Sequence, residues 1–177
     1  MLTVLITLLY PLLIWLAHGK IEPRWLALLL LAAAATRLSV LKINRPARWS
    51  VLGVLLLAAL AIWQNAMLPL KLYPLLVNLG LLAAFSYSLW VGPSMVERFA
   101  RMTEPDLPPV AIAYTRRVTQ VWCGFFVVNG AIALITALWM SEAAWSLYTG
   151  VISYGLMGLL FAGEFLYRRR FKRLHHV

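Results

Sequence analysis

The chain has 177 residues, 63% of them hydrophobic and 12% charged, with a formal net charge of +10 and a mean hydropathy of +0.82. A soluble domain carries about 45–50% apolar and about 25% charged residues, so this composition excludes a water-covered globule and points to a membrane protein. The cationic excess then reads as helix-end charge on one side of a bilayer, and nucleic acid is not expected as a partner.

Six apolar runs follow one another, at about 2–17, 24–41, 51–68, 72–90, 118–139 and 144–167, each of a length suited to crossing lipid. Each is expected to be a helix, because backbone N–H and C=O groups in lipid need partners within their own segment. No ten-residue alternation suggests a barrel. The expected fold is all-α: one polytopic domain over 1–177, with six transmembrane helices and one interfacial amphipathic helix. Met1 leads into Leu2–Leu16 without a positive n-region or a small-x-small cleavage site, so the first run reads as an uncleaved span.

Lysine and arginine set the orientation. Arg37, Lys42, Arg45 and Arg48 follow the second run, Arg98, Arg101, Arg116 and Arg117 the fourth, and Arg168, Arg169, Arg170, Lys172 and Arg173 the sixth. Only Lys20, Arg24 and Lys71 fall on the other side. That asymmetry predicts cytoplasmic even-numbered loops and two cytoplasmic termini in a multi-pass membrane protein. Tryptophan, which favours the headgroup level, fits the same map. Trp15, Trp25, Trp63, Trp139 and Trp145 fall at outer ends, Trp49 and Trp90 at inner ends, and Trp122 deeper.

The outer connections HGKIEPR, PLK and MSEA are too short for an external domain, and the inner loop KINRPARW is short and basic, suited to anionic headgroups. Leu9-Tyr10-Pro11-Leu12-Leu13 recurs as Leu72-Tyr73-Pro74-Leu75-Leu76 in oppositely directed runs. This is either a trace of an inverted three-plus-three repeat or a coincidence in a leucine-rich chain.

The one long connection is the cytoplasmic interfacial segment 91–117. Met95, Phe99 and Met102 share one helical face and Glu97, Arg98 and Arg101 another, with Glu97 and Arg101 at i,i+4. This predicts a short helix lying in the interface. Pro105, Pro108 and Pro109 break it, and a new helix is expected from about Pro109 to about Trp139, overshooting the hydrocarbon so that Arg116 and Arg117 reach phosphate level. Glu97, Arg98, Arg101, Arg116 and Arg117 are the candidate lipid- or partner-binding residues.

The motifs of this region carry a resemblance. They are Tyr73-Pro74 with Asn78, Pro93-Ser94-Met95-Val96-Glu97-Arg98-Phe99-Ala100-Arg101, Leu107-Pro108-Pro109, Tyr114-Thr115-Arg116-Arg117-Val118-Thr119 and Trp122-Cys123-Gly124-Phe125-Phe126 followed by Asn129-Gly130. Over about residues 72–171 the chain resembles a little-characterised family of bacterial inner-membrane proteins found among aryl-polyene and related fatty-acid-like biosynthesis genes. Its second half is also similar to the intracellular septation protein A family. The resemblance implies a cell-envelope context, with no catalytic residue to carry over.

Asn78, Asn129 and Gln120 are the candidate intramembrane polar residues. The amides of Asn78 and Asn129 are expected to meet between the fourth and fifth runs, either as helix glue or as a polar point on a substrate path. Arg37 and Glu164 lie near helix ends, where a charged head can snorkel. Gly150, Gly155, Gly158, Ala162 and Gly163 give the last run a small-residue surface, predicting tight packing within the bundle or between copies, so a homo-oligomer stays open. Cys123 is the single cysteine, which excludes an intramolecular disulfide, and His175-His176 reads as a tail with no metal role.

No nucleophile elbow, phosphate loop, dinucleotide fingerprint or zinc helix is present. The expectation is a protein without catalysis, cofactor or metal. It would support cell-envelope or lipid-like product biosynthesis by docking membrane lipids or a cytoplasmic or membrane protein partner at its inner face. The alternative is a small transporter or flippase for a hydrophobic product, with a cavity lined by Asn78, Asn129, Tyr87 or Gln120.

Overall fold

The computed structural model describes residues 66–175 continuously, with helical positions also at Trp25, Ala27, Leu28, Gly53, 55–60, Ile62 and Trp63. The first expected span, most of the second, Arg37, both termini and the first copy of the repeated pentapeptide lie outside the described residues. Among the described residues there is no strand.

The continuous part begins with α1 (Leu68–Lys71), which turns at Leu72 into α2 (Tyr73–Trp90). Pro69 and Pro74 sit in the first turns of these helices, where a missing N–H removes no bond. A bend containing a cis Gly92–Pro93 peptide leads to α3 (Met95–Arg101). Extended Pro108 then opens α4 (Pro109–Trp139), 31 residues without a break. Ser141 caps α5 (Glu142–Leu147) by accepting a bond from Ala144 N at 3.2 Å. A π-helical turn at Tyr148–Ile152 joins α5 to α6 (Ser153–His175).

Three helices among the described residues are long and apolar enough to cross a membrane: Leu68–Trp90, Pro109–Trp139 and Glu142–Leu174. They contain the fourth, fifth and sixth expected runs. At 1.5 Å per residue the last two extend roughly 46–50 Å, against roughly 30 Å of hydrocarbon.

The α2 helix packs along α4, and α3 folds back onto α4. Gly130 sets the closest approach, since a Cβ there would stand 3.2 Å from Asn78 Cβ. Trp145 is wholly buried with Ala27, Ala58, Leu70, Tyr73 and Ala137, and its Nε1 donates to Lys71 O at 3.1 Å. Trp145 therefore does not sit as a headgroup anchor. Its indole N–H satisfies a carbonyl at the end of α1 that the helix cannot satisfy itself. Trp90 and Trp139 are exposed at helix ends, Trp63 is exposed as well, and Trp122 is buried.

Of the two packings expected for the small-residue surface of the last helix, the one within the bundle is not found among the described helices. Side chains built at Gly155, Gly158 and Gly163 would meet nothing within 4 Å, so no described helix packs closely there. α6 stands away from the bundle over much of its length, with Leu159 and Leu166 exposed.

Candidate functional site

One end of the described structure gathers α3, the start of α4 and the end of α6, and with them most of its cations. At this basic end the interfacial helix leaves apolar residues outward and turns Glu97 inward. Glu97 is 6% exposed, whereas Phe99 and Met102 are open. The reason is hydrogen bonding. The first N–H groups of a helix have no partner within it, and here three are taken by side chains. Ser94 N donates to Glu97 Oε2 at 3.3 Å, Met95 N to Ser88 Oγ at 2.8 Å and Val96 N to Thr119 Oγ1 at 3.2 Å.

Ser88 and Thr119 are themselves held, donating to Phe85 O at 2.7 Å and Thr115 O at 2.9 Å. Hydroxyls from α2 and α4 thus clamp α3 onto the bundle. The sequence reading missed both. For Glu97 a signal existed: Ser94 and Glu97 stand at the spacing of a capping box. Ser94 Oγ itself is buried with no hydrogen-bond partner.

The five candidate binding residues therefore separate by role. Arg101 grips Glu97 Oε1 at 2.8 Å and donates to Pro105 O at 2.8 Å. Arg98 donates to Pro93 O at 2.9 Å. These three organise the segment. Arg116 and Arg117 are exposed, and Glu97 pairs with neither.

Two grooves flank the contact between α4 and α6. The larger, about 720 Å³, runs between α2, α3, α4 and α6. Leu81, Phe85, Phe126, Met157 and Phe161 line its apolar length, while Glu104, Arg168, Arg169 and Lys172 stand at its mouth. The smaller, about 500 Å³, lies between α4 and α6 and includes Arg117, Val121 and Leu160.

Tyr114, Val118, Trp122, Glu164 and Phe171 border both grooves and form a wall between them. Tyr114 OH donates to Glu164 Oε1 at 3.0 Å, and its ring stacks on Phe171 at 4.7 Å. Trp122 meets Phe161 at 4.6 Å. Glu164 also pairs with Arg168 at 3.6 Å, so it is the link between α4 and α6 as well as a helix-surface partner. Lys172 pairs with Glu104 across the larger mouth, and the Arg169 guanidinium lies 4.9 Å from the Phe165 ring centroid. The cations of α6 at the groove were not among the expected binding residues, because the sequence alone does not show that α6 returns to α3.

The two deep amides do meet. Asn129 Nδ2 donates to Asn78 Oδ1 at 3.0 Å, Tyr148 OH donates to Asn129 Oδ1 at 2.9 Å, and Asn78 Nδ2 donates to Pro74 O at 2.8 Å. The chain joins α2, α4 and the π turn. None of these residues lines either groove, and Gln120 and Tyr87 are exposed; the geometry is that of glue between helices. Asn129→Leu removes two of these bonds. Interhelical bonds average about 0.6 and reach about 1.7 kcal/mol each, so unfolding in mixed micelles is expected to show a loss of about 1–2 kcal/mol.

Among the described residues no three His, Cys, Asp or Glu side chains converge as metal ligands. No family model matches the chain, and no curated protein or solved structure matches it.

Proposed function

We propose that this protein is a six-span component of the bacterial inner membrane, with both termini cytoplasmic, that docks a lipid-like amphiphile at its cytoplasmic end. In this reading it has no catalysis of its own and supports cell-envelope or lipid-like product biosynthesis, the context its resemblance implies. One observation carries the reading: the larger groove is apolar along most of its length and gathers three cations and two acids toward one end. Its volume of about 720 Å³ falls within the roughly 300–1,000 Å³ of small-ligand sites. The buried amide chain favours docking over transport, because the most deeply placed polar groups are bonded to one another.

The test is photolabelling of the full chain in nanodiscs with a diazirine-bearing fatty acid, mapped by mass spectrometry. Labels are expected on peptides containing Phe85, Phe126 and Phe161. Ala111→Trp, which places an indole in the groove, is expected to cut that labelling about tenfold, a loss of about 1.4 kcal/mol. Labelling spread evenly over exposed α6 positions such as Leu159 and Leu166, unchanged by Ala111→Trp, would refute the reading.

A further inference from the structure

Resting on that docking reading, we infer that the larger groove takes a single-chain amphiphile with an anionic head, and that Glu104 is an internal stand-in for that head. The polarity of the groove comes first. Apolar side chains from α2, α4 and α6 occupy one end and all of its charged groups the other, so a ligand must be apolar for most of its length and charged at one tip. The mouth then selects the sign of the charge. Arg168, Arg169 and Lys172 face only two acids there, Glu104 and Glu164.

Glu164 is committed, bonded to Tyr114 and paired with Arg168. Among the described residues Arg169 has no acidic partner, and it lies against Phe165. Among the described residues Lys172 is held only by Glu104, which sits on the proline-rich loop between α3 and α4. Both side chains of that pair are nearly half exposed, at 43% and 48%. An exposed ion pair of this kind is weak, so an arriving carboxylate or phosphate has little to displace at Lys172 and gains Arg169 beside it.

The count of chains follows from the wall. The Tyr114–Glu164 bond and the Tyr114–Phe171 and Trp122–Phe161 ring contacts separate the two grooves. A second acyl tail on the same head has no continuous path into the smaller groove and would have to share the larger one, so a single tail is the occupant inferred.

The experiment is competition by hexadecanoate, hexadecanol and a two-chain phosphatidylglycerol against a trace of an uncharged diazirine-bearing fatty alcohol, with the full chain in detergent and the acid ionised. Glu104→Gln removes the stand-in, and hexadecanoate is expected to compete up to about fivefold better. Lys172→Gln is expected to weaken hexadecanoate about fivefold. Neither change should move hexadecanol. Both substitutions fall on exposed side chains, so the folded protein is retained.

Three results would overturn the inference. If hexadecanoate and hexadecanol respond alike to both substitutions, the mouth does not read charge, although the groove still binds. If phosphatidylglycerol displaces the label better than hexadecanoate, the occupant has two chains. If no competitor displaces the label in any variant, the groove is not a ligand site, and the docking reading falls as well.

Discussion

Trp145→Ala is expected to lower the unfolding free energy by about 3–5 kcal/mol, the range for truncating a buried aromatic core residue. The indole has no exposed surface and is packed between Leu70, Tyr73 and Ala137, with Ala27 and Ala58 in the same cluster. It is thus the body around which α1, α2, α4 and α5 assemble, and its removal leaves a cavity and frees Lys71 O. Trp145→Phe separates the two contributions, since it keeps most of the volume and loses the donor. That variant is expected to lose only about 1–2 kcal/mol. Denaturant unfolding in bicelles, followed by circular dichroism, measures both. Equal stability of the alanine variant and the parent would remove Trp145 from the centre of this assembly.

Glu97→Ala is expected to loosen α3, at a cost of about 2–3 kcal/mol. One carboxylate holds Ser94 N and Arg101 together while nearly buried. Its loss strands both partners, and an unpartnered buried group costs about 1–3 kcal/mol. Arg101 is 37% exposed, which lets water take up part of its charge and keeps the loss below that of a fully buried pair. The signature is local. Amide exchange over Met95–Met102 should speed by more than about tenfold, since each 1.4 kcal/mol is a factor of ten, while exchange in the middle of α4 stays unchanged. Arg116→Ala is the control and should leave α3 as it is. Unchanged exchange in the Glu97 variant would mean that Ser88 and Thr119 alone hold the helix.

These two sites show what was legible in the amino-acid order and what was not. The pairing of Asn78 with Asn129 was readable because an amide among hydrocarbon side chains has few partners to choose from. Pro108-Pro109 announced the start of α4, since proline suits a first turn and interrupts an interior. The inward turn of Glu97 was marked only by its capping-box spacing from Ser94. Helical spacing shows which residues share a face, but not which face the bundle takes. That choice was made by Ser88 and Thr119, two hydroxyls with no sequence pattern to mark them. Trp145 misled for a related reason, because a tryptophan near a helix end suits either a headgroup or a core. The larger groove depends on where α6 lies relative to α2 and α3, partners many residues away. Lys172 and Glu104, 68 positions apart, show how far such a meeting sits beyond local reading.

The surplus length of the two longest helices bears on access. Their excess turns gather where Arg116, Arg117, Arg168, Arg169 and Arg170 are found, since guanidinium groups settle in the headgroups or beyond and not among acyl tails. In the six-span placement proposed above, the exposed Glu104–Lys172 pair then stands at the headgroup level or beyond, within reach of water.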